Sequence, residues 1–482
     1  MGDINIFDIC IKDQGDFVEP YKYTMSRFSE TSKRRIISLP EICSYLNLVK
    51  YIIENDFIEK FIEVSNESKQ SFSKLIQKNG KMIKHELNYC NYNDKTYEEQ
   101  EENSTFISNT IEKLNRAKGA IGILHLDISN FFGSIYTHII PAIFLGYEEA
   151  MKIFKKEEKE NSDYKKLCEL DMKIRGMNGN RTNGLLIGPT ISMLIGECLL
   201  SRIDKEIESK EINFTRYVDD YEIYIYDEGD IERYIGIISN ILNKYYLNLN
   251  NEKIKYDKFP YYQYDNFEKI IKIFSLKERD ECELMELFNI FFEFEEKGSK
   301  GAIRYLIKSM NKIRIPKKEG GLYITYLLDI LVNNERAFNK ICNLLIIEKD
   351  NIKIQTNKEF KKVIFDLLER CVQSKKDLEV IWLLYLLKSL GINNFEERNI
   401  IKEKILKSEN ELAIIILFYE FDLTLEDKEK IIGTAHSWIL LYQLYLEDLI
   451  EKDVFQERSK VKKNIHFYNK LKYNKFSFYK KI

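Results

Sequence analysis

The hydrophobic pattern divides the chain into two parts near residue 265. Before that point, strand-like and helix-like segments mix. The stretch NFTRYVDDYEIYIYD (213–227), for example, is rich in the aromatic and β-branched side chains that favour strands. After it, apolar stretches of helix length dominate: IWLLYLLKSLGI (381–392), ELAIIILFYEF (411–421) and HSWILLYQLYLEDLI (436–450). No strict repeat period is visible, so the pattern predicts a mixed part, residues 1–265, and an irregular helical array, residues 266–482.

Two adjacent carboxylates interrupt the strand-like stretch at its centre. Asp219 and Asp220 carry like charges side by side, and Asp is depleted in strands, so the pair needs a physical explanation. The flanking segments predict a hairpin with both carboxylates at or near its turn. Because two aspartates in a turn usually have a structural role, this pair alone is weak support for a metal site.

A third carboxylate, Asp127, ends another predicted strand. In ILHLDISNFFGSIYTH (123–138), apolar residues lead directly to Asp127, as in a buried strand. Further along, TNGLLIGPTISMLIGECLLSRID (182–204) contains the break Gly188-Pro189, and apolar residues at helical spacing follow it. We therefore expect a helix that begins close to Pro189 and packs one face against the core.

The three carboxylates gain significance when they are considered together. If their strands are neighbours in one sheet, Asp127, Asp219 and Asp220 converge, and their repulsion calls for divalent cations. Hard oxygen ligands suit Mg²⁺, which takes its other ligands from water and substrate phosphates. Two such ions can hold the attacking and leaving oxygens of a phosphoryl displacement. The pattern predicts a nucleotidyltransferase with two Mg²⁺ ions, with Mn²⁺ as an alternative.

Composition and charge narrow the class of protein. The chain has 482 residues and a formal net charge of −3, so contacts with nucleic acid must come from local basic patches. Its eight cysteines form no C-x-x-C pair, which argues against a zinc site and a disulfide framework. Neither a signal peptide nor an uninterrupted apolar run of membrane-spanning length is visible, so we expect a cytoplasmic protein without membrane contact.

The motifs, in their order along the chain, resemble those of reverse transcriptases. The segments LDISNFFGSI (126–135), IGPTIS (187–192) and YVDD (217–220) look like motifs A, B and C. In addition, LNLNNEKIKYDKFP (247–260) is similar to the motif D region and KRRIISLP (33–40) to the arginine-bearing fingers segment. The resemblance implies an α+β fold in which residues 1–265 form the fingers and palm domain.

The resemblance implies a catalytic role for five residues. Asp127, Asp219 and Asp220 would bind the metal ions, and the backbone carbonyl of Ile128 would complete the shell of one ion. Lys253 matches the motif D lysine, which would protonate the pyrophosphate leaving group. The residue type alone also allows Lys253 to be an ordinary surface lysine.

Other matching residues would bind the nucleotide. Phe132 lies where the family places an aromatic gate against a ribose 2′-hydroxyl, although a core aromatic is the alternative. Gly188 would let the backbone approach the nucleotide, and Arg35, with Arg34 and Lys33, would neutralise the triphosphate.

Within this family, the chain looks most like the AbiK-like abortive-infection reverse transcriptases of bacteria. The similarity rests on LHLDISNFFGSIYTHIIP, TRYVDDY, NEKIKYDKFPY, GSKGAIRYLI and the ending HFYNKLKYNKFSFYKKI. Ile187 stands where many templated reverse transcriptases have Gln before the motif B glycine. This departure puts conventional use of a template in doubt.

The AbiK-like resemblance implies a defence enzyme of unusual type. Residues 266–482 would form an all-α helical-repeat domain in place of the thumb, and the protein would form a homo-oligomer, a trimer or hexamer. It would polymerise dNTPs without a template from a Tyr or Ser hydroxyl, leaving single-stranded DNA covalently attached to the protein. The sequence does not single out the priming residue.

Two alternative functions stay open. The enzyme could copy a cellular or dedicated non-coding RNA, or the chain could be a non-catalytic defence scaffold whose helical part binds a partner. The segment HFYNKLKYNKFSFYKK likewise allows two interpretations, a lining for emerging single-stranded DNA or an amphipathic terminal helix packed on its neighbours.

Overall fold

In the computed structural model, contacts divide the chain into two units. The first comprises residues 1–20 and 38–264, and the second comprises residues 21–37 and 265–482. The structure describes residues 16–26, 34–86, 103–155, 162–261, 267–275, 280–299, 301–310, 313, 315, 320–352, 358–395 and 398–481.

The described residues contain eight strands in three sheets. The four-stranded sheet lies in the first unit, is antiparallel throughout and has the order β6–β7–β5–β8. β1 pairs with β2, and β3 pairs with β4 in parallel. The strands are β1 Tyr21–Met25, β2 Arg35–Leu39, β3 Lys84–Glu86, β4 Asn103–Thr105, β5 Gly122–Asp127, β6 Phe214–Tyr217, β7 Asp220–Ile225 and β8 Lys255–Lys258.

Helices cover the four-stranded sheet and complete the core of the first unit. The helix Thr190–Glu208 begins directly after Pro189, as predicted, and its apolar face packs against β5 and β7 in one hydrophobic cluster. The α-helices of this unit are Ile42–Glu54, Phe57–Ser65, Phe106–Arg116, Phe131–Ser134, Ile140–Leu145, Tyr147–Lys155, Ser162–Met177, Thr190–Glu208 and Asp230–Lys244, and 3₁₀ turns span Thr137–Ile139 and Asn251–Lys253.

The strand register brings two of the predicted motifs to the same end of the sheet. β5 ends at Asp127, as expected from the sequence, and Asp127 stands directly opposite Asp220, the first residue of β7. β6 and β7 form the predicted hairpin, whose tight turn contains Val218 and Asp219. The two strands that carry carboxylates are therefore neighbours in one sheet.

The second unit is helical beyond residue 265 in all its described regular elements. The three apolar stretches predicted as helices are confirmed, at Asp377–Ser389, Glu411–Glu420 and Trp438–Leu446. No described helix has the length and apolarity that a bilayer span requires. The other α-helices are Phe267–Ser275, Glu281–Glu296, Ala302–Ser309, Gly320–Asn333, Phe338–Ile347, Lys349–Ile352, Lys358–Gln373, Asn399–Leu406, Leu425–Thr434, Lys452–Ser459 and Ile465–Tyr473, with a 3₁₀ turn at Glu335–Ala337.

The C-terminal segment packs onto its own unit. The helix Ile465–Tyr473 buries Phe467 and Tyr468, and the ring centroid of Phe478 lies 5.1 Å from that of Tyr442. The tyrosine Tyr479 stacks on Tyr419 at 5.0 Å. Most of its aromatic side chains are thus engaged in packing, with Tyr473 exposed, which favours the amphipathic terminal helix over a lining for single-stranded DNA.

Candidate active site

Three carboxylates meet where β5 ends and β7 begins. Asp127 and Asp220 are cross-strand partners, and Asp219 occupies the adjoining turn. The Ile128 backbone N–H donates to the Asp219 carbonyl at 3.3 Å, which joins motif A to the hairpin turn. The structure therefore brings together the three carboxylates that the sequence analysis placed in one site, two of them on paired strands and Asp219 in the turn.

The hairpin turn is held in a conformation that its sequence does not favour. Val218 has φ = +53°, a left-handed value that is strained for a β-branched residue. Its N–H donates to Ser73 Oγ at 2.8 Å, and its carbonyl accepts from Arg216 Nη1 at 3.0 Å. Both polar groups of the Val218 backbone are thus fixed from outside the turn, which orients the two aspartates that follow.

Arg216 belongs to a buried ion cluster beneath the turn. Its guanidinium is fully buried and contacts Glu197 Oε1 at 3.0 Å and Asp204 Oδ2 at 2.8 Å. Tyr221 donates to Asp204 Oδ1 at 3.1 Å, and Ser68 donates to Asp204 Oδ2 at 2.6 Å. Each buried charge therefore has both an opposite charge and further hydrogen bonds, which is the condition for tolerating charges in a core.

The pKa values within the cluster reflect this pairing. Burial opposes ionisation of Glu197, but the Arg216 guanidinium outweighs it and lowers the pKa of that carboxyl. Burial raises the pKa of the Asp204 carboxyl, against the pull of Arg216. The pKa of Arg216 itself is raised well above its usual value, because the two carboxylates more than offset its burial. Arg216 is thus a permanent cation in this core.

The sequence analysis missed this cluster, although a signal was present. Glu197 and Asp204 are seven residues apart, so they lie on the same face of the helix Thr190–Glu208, and both side chains are buried. Two acids on a core face require a buried cation. Arg216, in a buried strand position directly before the YVDD motif, was the available candidate.

Asp127 has a partner for each of its carboxylate oxygens. Lys253 Nζ lies 2.8 Å from Asp127 Oδ1, and Asn250 Nδ2 donates to Asp127 Oδ2 at 3.0 Å. The Asn250 backbone N–H also donates to the Asp127 carbonyl at 2.8 Å. Lys253 therefore lies beside Asp127 as its ion-pair partner, and its predicted role toward pyrophosphate stays a prediction. Asn250, which anchors the motif D segment to β5, was missed by sequence reasoning.

The three carboxylates leave an excess of negative charge. The pKa of Asp220 is raised to about 7, first because the carboxyl loses water and then because Asp219 and Asp127 lie close to it. This happens although Asp220 keeps an exposed edge and although Lys253 pulls its pKa downward. The ion pair between Lys253 and Asp127 thus does not prevent the rise in the pKa of Asp220, and a further cation close to Asp220 would stabilise its ionised form.

The donor set fits a hard divalent cation. Asp127, Asp219, Asp220 and the Ile128 carbonyl supply the oxygen ligands that Mg²⁺ prefers. As the described side chains stand, no three His, Cys, Asp or Glu residues are arranged to hold a metal ion, and Lys253 already engages Asp127. A bound cation would therefore displace Lys253 from Asp127. Such an ion would supply charge stabilisation for phosphoryl transfer.

Phe132 connects motif A to motif B. It follows Phe131, whose ring centroid lies 5.0 Å from its own, and it is only partly buried. Its carbonyl accepts from the Leu185 N–H at 2.7 Å. A Cβ on Gly196 would lie 3.2 Å from the Phe132 ring, so the small residue in the helix makes room for this aromatic pair. Both the gate and the core-aromatic interpretations are compatible with this position.

Gly188 lies in the expected backbone break, before the helix that starts at Thr190. Its φ of +133° is a value that side-chain-bearing residues rarely adopt, and the residue is exposed. The neighbouring Ile187 carbonyl accepts from the Ser38 N–H at 2.8 Å. The backbone at Gly188 is therefore accessible, as close approach of a ligand would require.

The two arginines of the fingers-like segment differ in their surroundings. Arg34 forms ion pairs with Glu335, at 3.1 Å, and with Glu379, all within the second unit. Arg35, at the start of β2, is exposed, and no described carboxylate pairs with it. Arg35 is thus the better candidate for a phosphate contact, whereas Arg34 is engaged in packing. Lys33 lies outside the described residues.

Comparisons with known proteins agree with the motif-based interpretation of this region. Residues 71–261 match the family model described as "Reverse transcriptase (RNA-dependent DNA polymerase)", so this part of the chain is similar to a reverse transcriptase domain. It includes Asp127, Gly188, Asp219, Asp220 and Lys253. A search of the curated proteins found no match to the chain.

Among solved structures, the chain is similar to telomerases in complex with a fragment of telomeric RNA. The one from Candida tropicalis is 13% identical with a TM-score of 0.31, and the alignment covers 84% of this chain and 65% of that one. The one from Candida albicans is 12% identical with a TM-score of 0.31, and the alignment covers 85% of this chain and 67% of that one. The chain thus spans less than two thirds of the first. A TM-score of 0.31 is too low to carry an argument about fold or function.

The buried cluster predicts a large stability effect at Arg216. In Arg216→Met, Glu197 and Asp204 stay buried without a cation, and we expect the free energy of unfolding to fall by about 3–5 kcal/mol. Urea denaturation monitored by circular dichroism measures it. The compensated variant Arg216→Met/Glu197→Gln/Asp204→Asn should recover much of the loss. The control Arg233→Met removes an exposed pair with Asp230 and should cost about 1 kcal/mol or less. Equal losses in Arg216→Met and Arg233→Met would contradict the role of the cluster.

The raised pKa of Asp220 predicts a pH-dependent stability. The carboxyl titrates near 3.8 when unfolded and near 7 when folded, so the folded state binds the proton more tightly. The stability of the unaltered protein should therefore fall between pH 4 and pH 7 relative to Asp220→Asn, and the difference should level off above pH 7. Urea denaturation of both proteins at a series of pH values, with a chelator present to remove metal ions, measures this difference in the free energy of unfolding. The exposed-site control Asp163→Asn should show no such trend, and a flat difference for Asp220→Asn would refute the prediction.

Proposed function

We propose that this chain, through the reverse transcriptase domain within residues 71–261, is a Mg²⁺-dependent DNA polymerase. The observation that carries the proposal is the convergence of Asp127, Asp219 and Asp220 at one end of the sheet, with a raised pKa at Asp220. Carboxylates would not be concentrated in this way without a cationic partner. Two divalent ions would supply that positive charge, and the triphosphate of a dNTP would bind to the ions.

The surrounding residues would bind and orient the nucleotide. Lys253 would leave Asp127 when a cation binds and would then be free to donate a proton to the departing pyrophosphate. Phe132 would exclude a ribose 2′-hydroxyl, and the exposed backbone at Gly188 would lie against the nucleotide. Arg35 would contact the triphosphate as a charge-assisted donor. In this proposal residues 1–265 are the fingers and palm, and residues 266–482 replace the thumb.

The finer proposal is template-independent, protein-primed synthesis in anti-phage defence. It rests on the AbiK-like resemblance, supported by Ile187 at the position before the motif B glycine and by the helical second unit. A net charge of −3 also suits an enzyme that grips no long duplex. The product would be single-stranded DNA attached to a Tyr or Ser of a cytoplasmic homo-oligomer, a trimer or hexamer.

A second candidate is RNA-templated synthesis on a cellular or dedicated non-coding RNA. The observation that favours it is the matched family model, whose description specifies RNA-dependent DNA synthesis. The chemistry of the site is the same in both cases. The source of sequence information differs, so the product distinguishes the two candidates.

The decisive experiment is incubation of nucleic-acid-free protein with Mg²⁺ and dNTPs. We expect a DNase-sensitive upward shift of the protein on a denaturing gel, because the product stays attached. Asp219→Asn should reduce incorporation by at least about 100-fold, as expected for the loss of a group that stabilises transition-state charge. The matched control Asp163→Asn removes an exposed carboxylate outside the site and should retain activity. Absence of incorporation with Mg²⁺ and Mn²⁺ would refute the polymerase.

Sequencing of the DNA product separates the two candidates. Random or homopolymeric DNA indicates synthesis without a template, whereas a defined sequence complementary to a co-purified RNA indicates templated synthesis. If the DNA separates from the protein on denaturation without protease treatment, covalent priming is excluded, whereas polymerisation is still supported.

A plaque assay separates either enzyme from a defence scaffold. Cells that express Asp219→Asn should lose protection against phage, and cells that express Asp163→Asn should keep it, provided that both proteins accumulate equally. Protection that persists in Asp219→Asn would instead favour the scaffold.

A further inference from the structure

A cavity of about 610 Å³ opens within the second unit. Its wall combines β1, the end of the helix Lys358–Gln373 with the loop after it, and the end of the helix Asn399–Leu406 with the loop after that. Its volume lies in the range of small-molecule sites. The proposed polymerase chemistry uses none of its lining residues, so it is a separate feature of the molecule.

Hydrogen bonds between distant segments hold this cavity in shape. The Thr24 N–H donates to Asp377 Oδ2 at 2.8 Å, and Thr24 Oγ1 donates to the Lys375 carbonyl at 2.7 Å. On the other side, Asn410 Nδ2 donates to the Asp377 carbonyl at 3.0 Å. Three separate segments are therefore tied together around Asp377, and the cavity is a built part of this unit.

The charged side chains of the cavity favour an anionic ligand. Four lysines line it against only two carboxylates, Asp377 and Glu409. Lys22 and Lys375 are exposed and have no ion-pair partner among the described residues, and Lys407 has only a 3.9 Å contact with Glu403. The fourth, Lys404, pairs with Glu369. This local excess of positive charge occurs in a chain whose net charge is −3.

The apolar part of the cavity suits a planar base. Ile36 is 53% exposed in its lining, and Tyr23, Val372 and Val380 lie beside it. The cavity thus offers lysine charge and apolar surface side by side, and a ligand that fills it has to match both. A nucleotide unit meets both demands, because its phosphate pairs with lysine and its base covers aromatic and aliphatic surface.

We propose that this cavity binds a segment of single-stranded nucleic acid, with the phosphates on Lys22, Lys375 and Lys407 and a base against Tyr23 and Ile36. The choice of nucleic acid as the anion rests on the proposed function, and the site itself rests on the cavity and its lysines. It gives the second unit a role in holding a strand, in addition to packing.

The first test uses salt-dependent binding of a short fluorescein-labelled oligodeoxythymidylate, followed by fluorescence anisotropy. It is performed in the Asp219→Asn background, so the result does not depend on polymerisation. The variant Lys22→Gln/Lys375→Gln should bind about 10-fold more weakly or worse at 0.1 M salt, and its salt slope should fall by about 1.4, since each phosphate contact contributes about 0.7.

Matched controls make the binding result specific to the cavity. Lys452→Gln/Lys462→Gln removes two exposed lysines of the same unit that do not line the cavity, and its affinity should be unchanged. Equal weakening in both double variants would overturn the proposal. Displacement of the oligonucleotide by dTTP at equal phosphate concentration would also overturn it, because it would indicate a free nucleotide as the ligand.

Photo-crosslinking provides a test without lysine variants. An oligonucleotide that carries 5-iododeoxyuridine is irradiated with the full-length Asp219→Asn chain, and the adducts are mapped by mass spectrometry. We expect an adduct on the peptide that contains Tyr23. Adducts confined to residues 71–261 would overturn the cavity proposal while leaving the polymerase proposal untouched, so the two failures are distinguishable.

Discussion

The geometry of the candidate site depends on the buried contact of Arg216 with Glu197 and Asp204. Desolvating three charges costs several kcal/mol for each ion, and only close pairing with additional hydrogen bonds offsets that cost. Arg216 makes these pairings when it lies against the helix Thr190–Glu208. From that position its remaining N–H donates to the Val218 carbonyl. A long-range ion cluster thereby holds a strained two-residue turn, and the turn sets the positions of the two aspartates relative to Asp127.

The cluster and the candidate site handle negative charge in opposite ways. Beneath the turn, a permanent guanidinium faces Glu197 and Asp204, and the pKa of Glu197 is lowered despite burial. Above the turn, Lys253 pairs with Asp127, and the pKa of Asp220 is nevertheless raised to about 7. The lower group is therefore paired within the chain, whereas in the upper group the nearby Asp219 and Asp127 still raise the pKa of Asp220. A raised pKa of this kind is typical of functional sites, and it supports the proposal that cations from solution complete this one.

Sequence patterns predicted the elements of the site better than their connections. Strand character up to Asp127, the hairpin around Asp219 and the helix after Pro189 are local properties, because periodicity and turn residues lie within each segment. The partners that fix these elements are distant in sequence. Ser73, for example, accepts a hydrogen bond from the Val218 N–H across 145 positions. No local pattern specifies such pairs. The sequence offered only an unexplained acid on a core face, at Glu197, and an unexplained base in a strand, at Arg216.

A bound phosphate group brings negative charge that has to be neutralised, and the two proposed sites would do this with different side chains. At the end of the sheet the chain presents carboxylates, so a polyphosphate can approach only with divalent ions between the two sets of anions. In the helical unit, lysines line the cavity. A nucleic acid strand that binds there would exchange its monovalent counterions for these lysines. As proposed, the first site would require a divalent metal and tolerate moderate salt, whereas binding at the second would need no metal and would weaken steadily as salt rises. A chain with a net charge of −3 can bind nucleic acid in this way without a basic surface overall, because each contact is neutralised locally.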